Sequence, residues 1–113
     1  MSKITYEDFA KVEMRVGKII QIDDFDRAQN PLYKVKIDFG PDVEIKQSCV
    51  QAKCEYTKKE LLDRQVICVI NIPPKNIAGF MSEVLILGVP AKDGSLSLLE
   101  PSRKPARIGG TVY

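Results

Sequence analysis

Tyr33, Val35, Ile37 and Phe39 alternate with Lys34, Lys36 and Asp38, and this is the clearest period of two in the chain. Side chains on a strand point to opposite faces in turn, so the segment belongs in a sheet with one apolar face in a core and one charged face in solvent. The neighbouring segments read the same way. Met14 to Ile22 forms a strand whose internal Gly17 predicts a bend or a close backbone contact. Asp23 to Pro31 is a charged turn ending in Asn30-Pro31, and Gly40-Pro41-Asp42 turns the chain into a third strand over Val43 to Ser48. Lys46 on that strand could share a rim with Lys34 or Lys36.

Two short helices punctuate the strands. Thr5 with Asp8 caps one of about two turns, in which Tyr6, Phe9 and Val12 fall at helical spacing and need apolar cover from the barrel or from a partner subunit. Thr57-Lys58-Lys59-Glu60 is a capping box, with Leu61-Leu62 closing the apolar side and Asp63-Arg64 ending the helix. Gln65 to Ile70 is then a nearly continuous apolar run, the pattern of a strand buried on both faces, and Val84 to Leu87 repeats it. Asp93-Gly94 marks a hairpin between Val89-Pro90 and Ser95 to Leu99, and the tail from Pro101 ends in the strand-favouring Thr111-Val112-Tyr113.

The link from Asn71 to Glu83 joins the two apolar runs and cannot be a tight hairpin between them. Pro73-Pro74 supplies no N–H and holds residue 73 extended, so a stiff, ordered loop is expected. It carries Asn71, Lys75, Asn76, Ser82 and Glu83, with Gly79 where the backbone needs positive φ or a close approach. On spacing alone this is also the composition of a solvated loop with a glycine turn. Strands, a short helix and further strands in this order match an all-β fold with short helices. That is a five-stranded Greek-key OB-fold barrel, here with an N-terminal helix and a C-terminal strand as extensions that cover edges. At 113 residues the chain has the length of one domain, and a single OB-fold domain over 1–113 is expected.

Several function classes find no support. No histidine is present, so the usual general base is missing, and no Gly-x-Ser-x-Gly elbow, phosphate loop or dinucleotide fingerprint occurs. A Glu83–Asp38 carboxylate pair has nothing to bring it together. Cys49, Cys54 and Cys68 lack Cys-x-x-Cys spacing, which argues against zinc and for reduced, packed thiols; neither cofactor nor metal is expected. No run is long enough to span a bilayer and no signal pattern follows Met1-Ser2-Lys3, so a cytoplasmic protein without membrane insertion is expected. The net charge of +2 says little about a nucleic-acid partner, because counterion release follows local contacts. Asp23, Asp24 and Asp26 make an acidic patch, and Arg103, Lys104 and Arg107 a basic tail.

Pro73 to Gly88 resembles the signature of the tRNA-binding domain family, the small OB-fold module found free-standing and at the ends of some methionyl-, phenylalanyl- and tyrosyl-tRNA synthetases. In particular it is similar to the free-standing CsaA branch. The likeness extends through Asp8-Phe9, Met14 to Gly17, Tyr33 to Gly40 and Ile45 to Ser48. The resemblance implies a non-catalytic homodimer built through its terminal extensions, with tRNA as ligand. CsaA-like proteins are also assigned as chaperones that hold unfolded or export-bound proteins and work with the export machinery.

Candidate residues follow for each ligand. Lys34, Lys36, Lys46 and Lys75 are candidates for phosphate, and Asn71, Asn76, Ser82 and Glu83 for ribose or a base edge. Asn71, Gly79 and Ser82 match the family's loop motif, while Lys75 and Lys46 match its basic positions. Where the wider family has further basic residues and a Gly-Met pair, this chain has Pro73, Ile77-Ala78 and Val84-Leu85, which implies weaker binding. A peptide client instead needs an apolar surface that repacks, for which Ile77, Phe80 and Met81 are the candidates if exposed. Delivery of tRNA to a synthetase is a third role known in the family.

Overall fold

The structure, a computed structural model, describes residues 1–26, 32–53 and 55–113. The predicted turn residues Asn30-Pro31 and Cys54 lie outside them. In chain order the elements are α1 (Tyr6–Ala10), β1 (Met14–Asp24), β2 (Tyr33–Asp38), β3 (Ile45–Val50), α2 (Lys58–Leu61), β4 (Gln65–Val69), β5 (Lys75–Ile77), β6 (Phe80–Ser82), β7 (Leu85–Ile86), β8 (Gly88–Pro90) and β9 (Leu96–Leu98). Five strands form one antiparallel sheet in the order β3-β2-β1-β4-β7, which curls into the nearly closed OB barrel that the sequence predicts.

The alternation in β2 sets the inside of the barrel. Tyr33, Val35, Ile37 and Phe39 are buried and pack with Ile19, Val50, Leu61, Val66, Cys68, Val84 and Leu98. Gly17 is there because β1 passes directly over this layer. A Cβ on it would sit 2.4 Å from Ile37 Cγ2 and 2.7 Å from Phe39 Cε1. β1 is long, running to Asp24 rather than turning at Asp23, and a register shift between Ile19 and Gln21 lets it bend from β4 onto β2.

β3 starts at Ile45, two residues later than predicted. Glu44 adopts a left-handed conformation (φ 70°), with its N–H donating to Gly40 O at 2.7 Å, and so still belongs to the turn. Both helices start at the predicted caps: the capping box expected at Thr57 is present, and the cap expected at Thr5 is also a full capping box with Asp8. Only Leu61 of the expected Leu61-Leu62 pair is buried; Leu62 caps the helix in an extended conformation and faces solvent. Val84 goes into the core while Leu85, half exposed at 50%, faces out, so this second apolar run is not buried on both faces.

The tail behaves as a strand along β1. Gly109 N donates to Val16 O at 2.7 Å, Val16 N to Gly110 O at 2.9 Å and Val112 N to Met14 O at 2.9 Å, around an Arg15–Thr111 bridge. Gln65 fixes its approach, exchanging two hydrogen bonds of 2.7 and 2.8 Å with the backbone of Ala106. α1, by contrast, buries none of its residues; Tyr6 is 74% exposed, with Phe9 as its aromatic neighbour at 6.1 Å.

Candidate nucleic-acid interface

The linker after β4 differs most from its predicted form. Past Pro73-Pro74 it forms a hairpin, in which Lys75 faces Ser82, Asn76 faces Met81 and Ile77 faces Phe80. Ala78 and Gly79 make the turn with φ of 48° and 87°, both positive, as a two-residue turn matched to strand twist requires. Asn76 Oδ1 accepts the Gly79 N–H at 2.8 Å and steadies it. The prolines thus delay pairing until Lys75 without preventing it.

Residues 82–84 fasten this hairpin along the free edge of β3, where a regular ladder is missing. Glu83 N donates to Gln47 O at 2.9 Å, and Gln47 N donates to the Glu83 carboxylate at 3.0 Å. Cys49 N donates to Ser82 Oγ at 3.3 Å, Ser48 Oγ donates to Val84 O at 2.7 Å, and the two serine hydroxyls lie 3.1 Å apart. The Gln47 side-chain amide adds a bond to Met81 O at 2.9 Å. Ser82 and Glu83 therefore close the barrel seam, satisfying β3 groups that would otherwise lack partners.

Asn71 is also engaged within the protein. Its Oδ1 accepts the Glu13 N–H at 2.9 Å and its Nδ2 donates to Lys11 O at 2.7 Å, tying the exit of α1 to the end of β4. Asp38 Oδ1 accepts from Gly40 N at 2.8 Å, so it and Glu83 are held by separate backbone groups. Among the polar candidates, what remains for a ligand is chiefly the lysines.

Pairing register sorts those lysines. Lys34 lies between Asp23 and Cys49, and Lys36 between Gln21 and Gln47, on the outward face of β2. Lys46 lies opposite Ile37, on the inward-facing parity, so it does not share a face with Lys34 and Lys36 as expected. Lys75 stands exposed at the base of the hairpin. Among the described residues, no carboxylate comes within salt-bridge distance of Lys34, Lys36, Lys46 or Lys75, whereas Lys11, Lys18, Lys53, Lys58 and Lys104 all have one. Among the same residues Lys3, Lys59, Lys92, Arg103 and Arg107 also lack one, but they belong to the N-terminal segment, α2, the β8–β9 turn and the tail, not to β2 or the hairpin. Asp24 takes both Lys53 and Lys58, and the hydrogen bond from Lys58 holds its carboxyl below the usual range.

The apolar candidates do not form one patch. Cross-strand pairing puts Ile77 and Phe80 on one face of the hairpin and Met81 on the other, where it is 42% exposed. Phe80 meets Phe25 edge to face, with ring centroids 5.6 Å apart, and Lys34 Nζ lies 5.5 Å from the Phe25 centroid and 5.7 Å from that of Phe80. Nothing in the sequence singles out Phe25. It follows a charged strand end, and only the fold brings it to residue 80.

Cys49 and Cys68 are placed for packing. Burial pushes the Cys68 thiol up to about 12 and raises that of half-buried Cys49. Among the described residues no group of His, Cys, Asp and Glu has the arrangement of a metal site, and no helix is long and apolar enough to cross a membrane.

Comparison with known proteins bears on this geometry. Residues 14–109 match the family model described as a putative tRNA binding domain. The fold superposes on a CsaA chaperone protein from Picrophilus torridus with a TM-score of 0.90 at 43% identity, covering 98% of this chain and 100% of that one. A CsaA chaperone from Bacillus anthracis gives 0.89 at 34%, covering 99% and 100%. Methionine–tRNA ligase of Pyrococcus horikoshii is 39% identical over 113 residues, which are 99% of this chain. The chain spans only about 15% of that enzyme's length.

Proposed function

The chain belongs to the tRNA-binding domain family, in its CsaA-like branch, and from that premise we propose that it is a non-catalytic module that binds tRNA through the outward face of β2 and the β5–β6 hairpin. The observation that carries this reading is the set of unneutralised lysines, Lys34, Lys36 and Lys75, on and beside one face. A lysine without a carboxylate partner can release a counterion from phosphate, whereas one already paired has a competitor to displace. Each such contact contributes roughly 0.7 to 0.9 to the log–log salt slope. Binding of unfractionated tRNA, followed by fluorescence anisotropy across a salt series, tests it. The expected result is affinity that falls steeply with salt and is weaker for Lys75→Ala. Absence of binding at low salt removes the reading.

A second reading, the holding of unfolded or export-bound polypeptides, is supported by the two CsaA chaperone structures, which this chain covers throughout. Exposed Met81, Leu85 and Val89 supply apolar surface for it. Suppression of aggregation of an unfolded client should then be insensitive to salt and weakened by Met81→Asp. In either role the functional unit we propose is a homodimer, because Ile4, Tyr6 and Val12 of the N-terminal segment and Tyr113 of the tail stand exposed without cover from their own barrel. Sedimentation equilibrium should give twice the chain mass, and Tyr6→Asp should shift it toward the monomer.

A further inference from the structure

Phe25 and Phe80 pack against each other apart from the main core cluster, with Phe25 buried and the ring of Phe80 left partly exposed in front of it. A lysine ammonium lies within 6 Å of both rings, near enough for a cation–π contact, and has no carboxylate partner among the described residues. Two clefts meet there. One, of about 370 Å³, is lined by Asp24, Phe25, Asp26, Lys34 and the Ala78-Gly79-Phe80 turn. The other, of about 120 Å³, lies between Asp23, Lys34, Lys36, Gln47 and Phe80. The larger is within the size range of small-molecule pockets, and both share Lys34 and Phe80.

We propose that Phe80, backed by Phe25 and flanked by Lys34 and Lys36, is the stacking platform for one unstacked nucleotide of the bound RNA. This deepens the tRNA-binding reading and rests on it. Each part of a nucleotide has a counterpart in the clefts. The aromatic ring offers a face to the base, as sequence-tolerant single-strand sites do, and the unpaired ammonium groups of Lys34 and Lys36 suit its phosphate. Asp23, whose carboxylate accepts from Gln21 Nε2 at 2.9 Å, and Gln47, whose amide donates to Met81 O at 2.9 Å, line the smaller cleft. Each keeps one group over for a base edge, a second carboxylate oxygen and a second N–H. An aliphatic peptide side chain would leave Lys34 and Lys36 desolvated and unpaired, whereas a phosphate would pair with them; of the carboxylates lining the clefts, Asp24 is already taken by Lys53 and Lys58. The platform is also rigid before binding, because the seam bonds from Ser82 and Glu83 to β3 hold the hairpin that carries Phe80.

The chain contains no tryptophan, so Phe80→Trp introduces a single indole reporter at the platform. On addition of tRNA or of a short single-stranded RNA its emission should be quenched. Phe80→Leu should weaken RNA binding roughly 5- to 100-fold, the range expected for loss of one base stack, while leaving the salt slope unchanged. Lys36→Ala, in contrast, should lower the slope. Circular dichroism and the urea midpoint of each variant separate a binding defect from unfolding. Wild-type affinity in a folded Phe80→Leu variant, or an unquenched indole in a Phe80→Trp variant that still binds RNA, overturns the platform and leaves the tRNA reading standing. If Phe80→Leu weakens capture of an unfolded polypeptide but not of RNA, the platform is refuted in favour of a peptide site. Failure of the wild-type chain to bind any RNA at low salt overturns both.

Discussion

Two charged regions of this molecule have similar residue types and opposite bookkeeping. The larger groove, about 670 Å³, lies between the end of α2, β4 and the tail. There Lys18 faces Asp63 at 3.6 Å, while Arg64 and Lys104 share Glu100 at 3.3 and 2.7 Å. Its cations are already matched, and only the Arg64–Glu100 pair reaches from the end of α2 to the start of the tail, so they have little charge to offer a ligand. The outward face of β2 and the hairpin beside it have smaller clefts but lysines without partners. Cavity size alone would select the first region. For a polyanion the second is the better site, since uncompensated positive charge, more than volume, is what phosphate responds to.

The sharpest way to break this contrast is to detach the hairpin. Glu83→Ala removes the acceptor of the Gln47 N–H in the barrel seam. It should cost about 1 to 2 kcal/mol in urea unfolding, because the Gln47 N–H is only partly buried and its bond is to a charged acceptor. Glu83→Gln, which keeps a carbonyl acceptor, should recover most of that. A loss of RNA affinity in Glu83→Ala with full stability would instead make Glu83 a ligand contact. Next in size, Asn71→Ala frees the Glu13 N–H and the Lys11 carbonyl at the exit of α1. It should cost about 1 kcal/mol and leave the salt slope of RNA binding as it was, in keeping with net values for such bonds. The smallest effect belongs to the matched region: Lys104→Ala breaks an exposed pair with Glu100 and should change stability by less than about 1 kcal/mol.

The local features of the fold were legible in the sequence. Alternation from Tyr33 to Phe39 marks the inner face of the barrel, the cap at Thr5 and the capping box at Thr57 mark the helices, and Gly17 marks a bend or close backbone contact in β1. Each signal lies within a few residues of what it describes. The candidate site was less legible for the opposite reason. Ser82 and Glu83 bond to residues 33 to 36 positions away, so nothing nearby in the chain distinguishes a seam residue from a ligand contact. The hairpin escaped notice because its turn is Ala78-Gly79, without the Asn-Gly or Asp-Gly that usually announces two positive φ values. Lys46 faces inward because it pairs with Ile37, a register set by the β2–β3 pairing and not by any signal within the strand itself. Phe25 needed the whole fold to find Phe80.

Salt dependence in two triple variants is the most direct test of the contrast. Lys34, Lys36 and Lys75 are changed to alanine in one, and Lys18, Arg64 and Lys104 in the other, and tRNA affinity is measured across the same salt series. With about 0.7 to 0.9 of slope from each phosphate contact, the first variant should lose about 2 in log–log slope and most of its affinity, and the second should follow the wild-type line. An equal loss in both would show that the matched cations contact RNA as well. A loss confined to the second would place the interface in the larger groove and contradict the account.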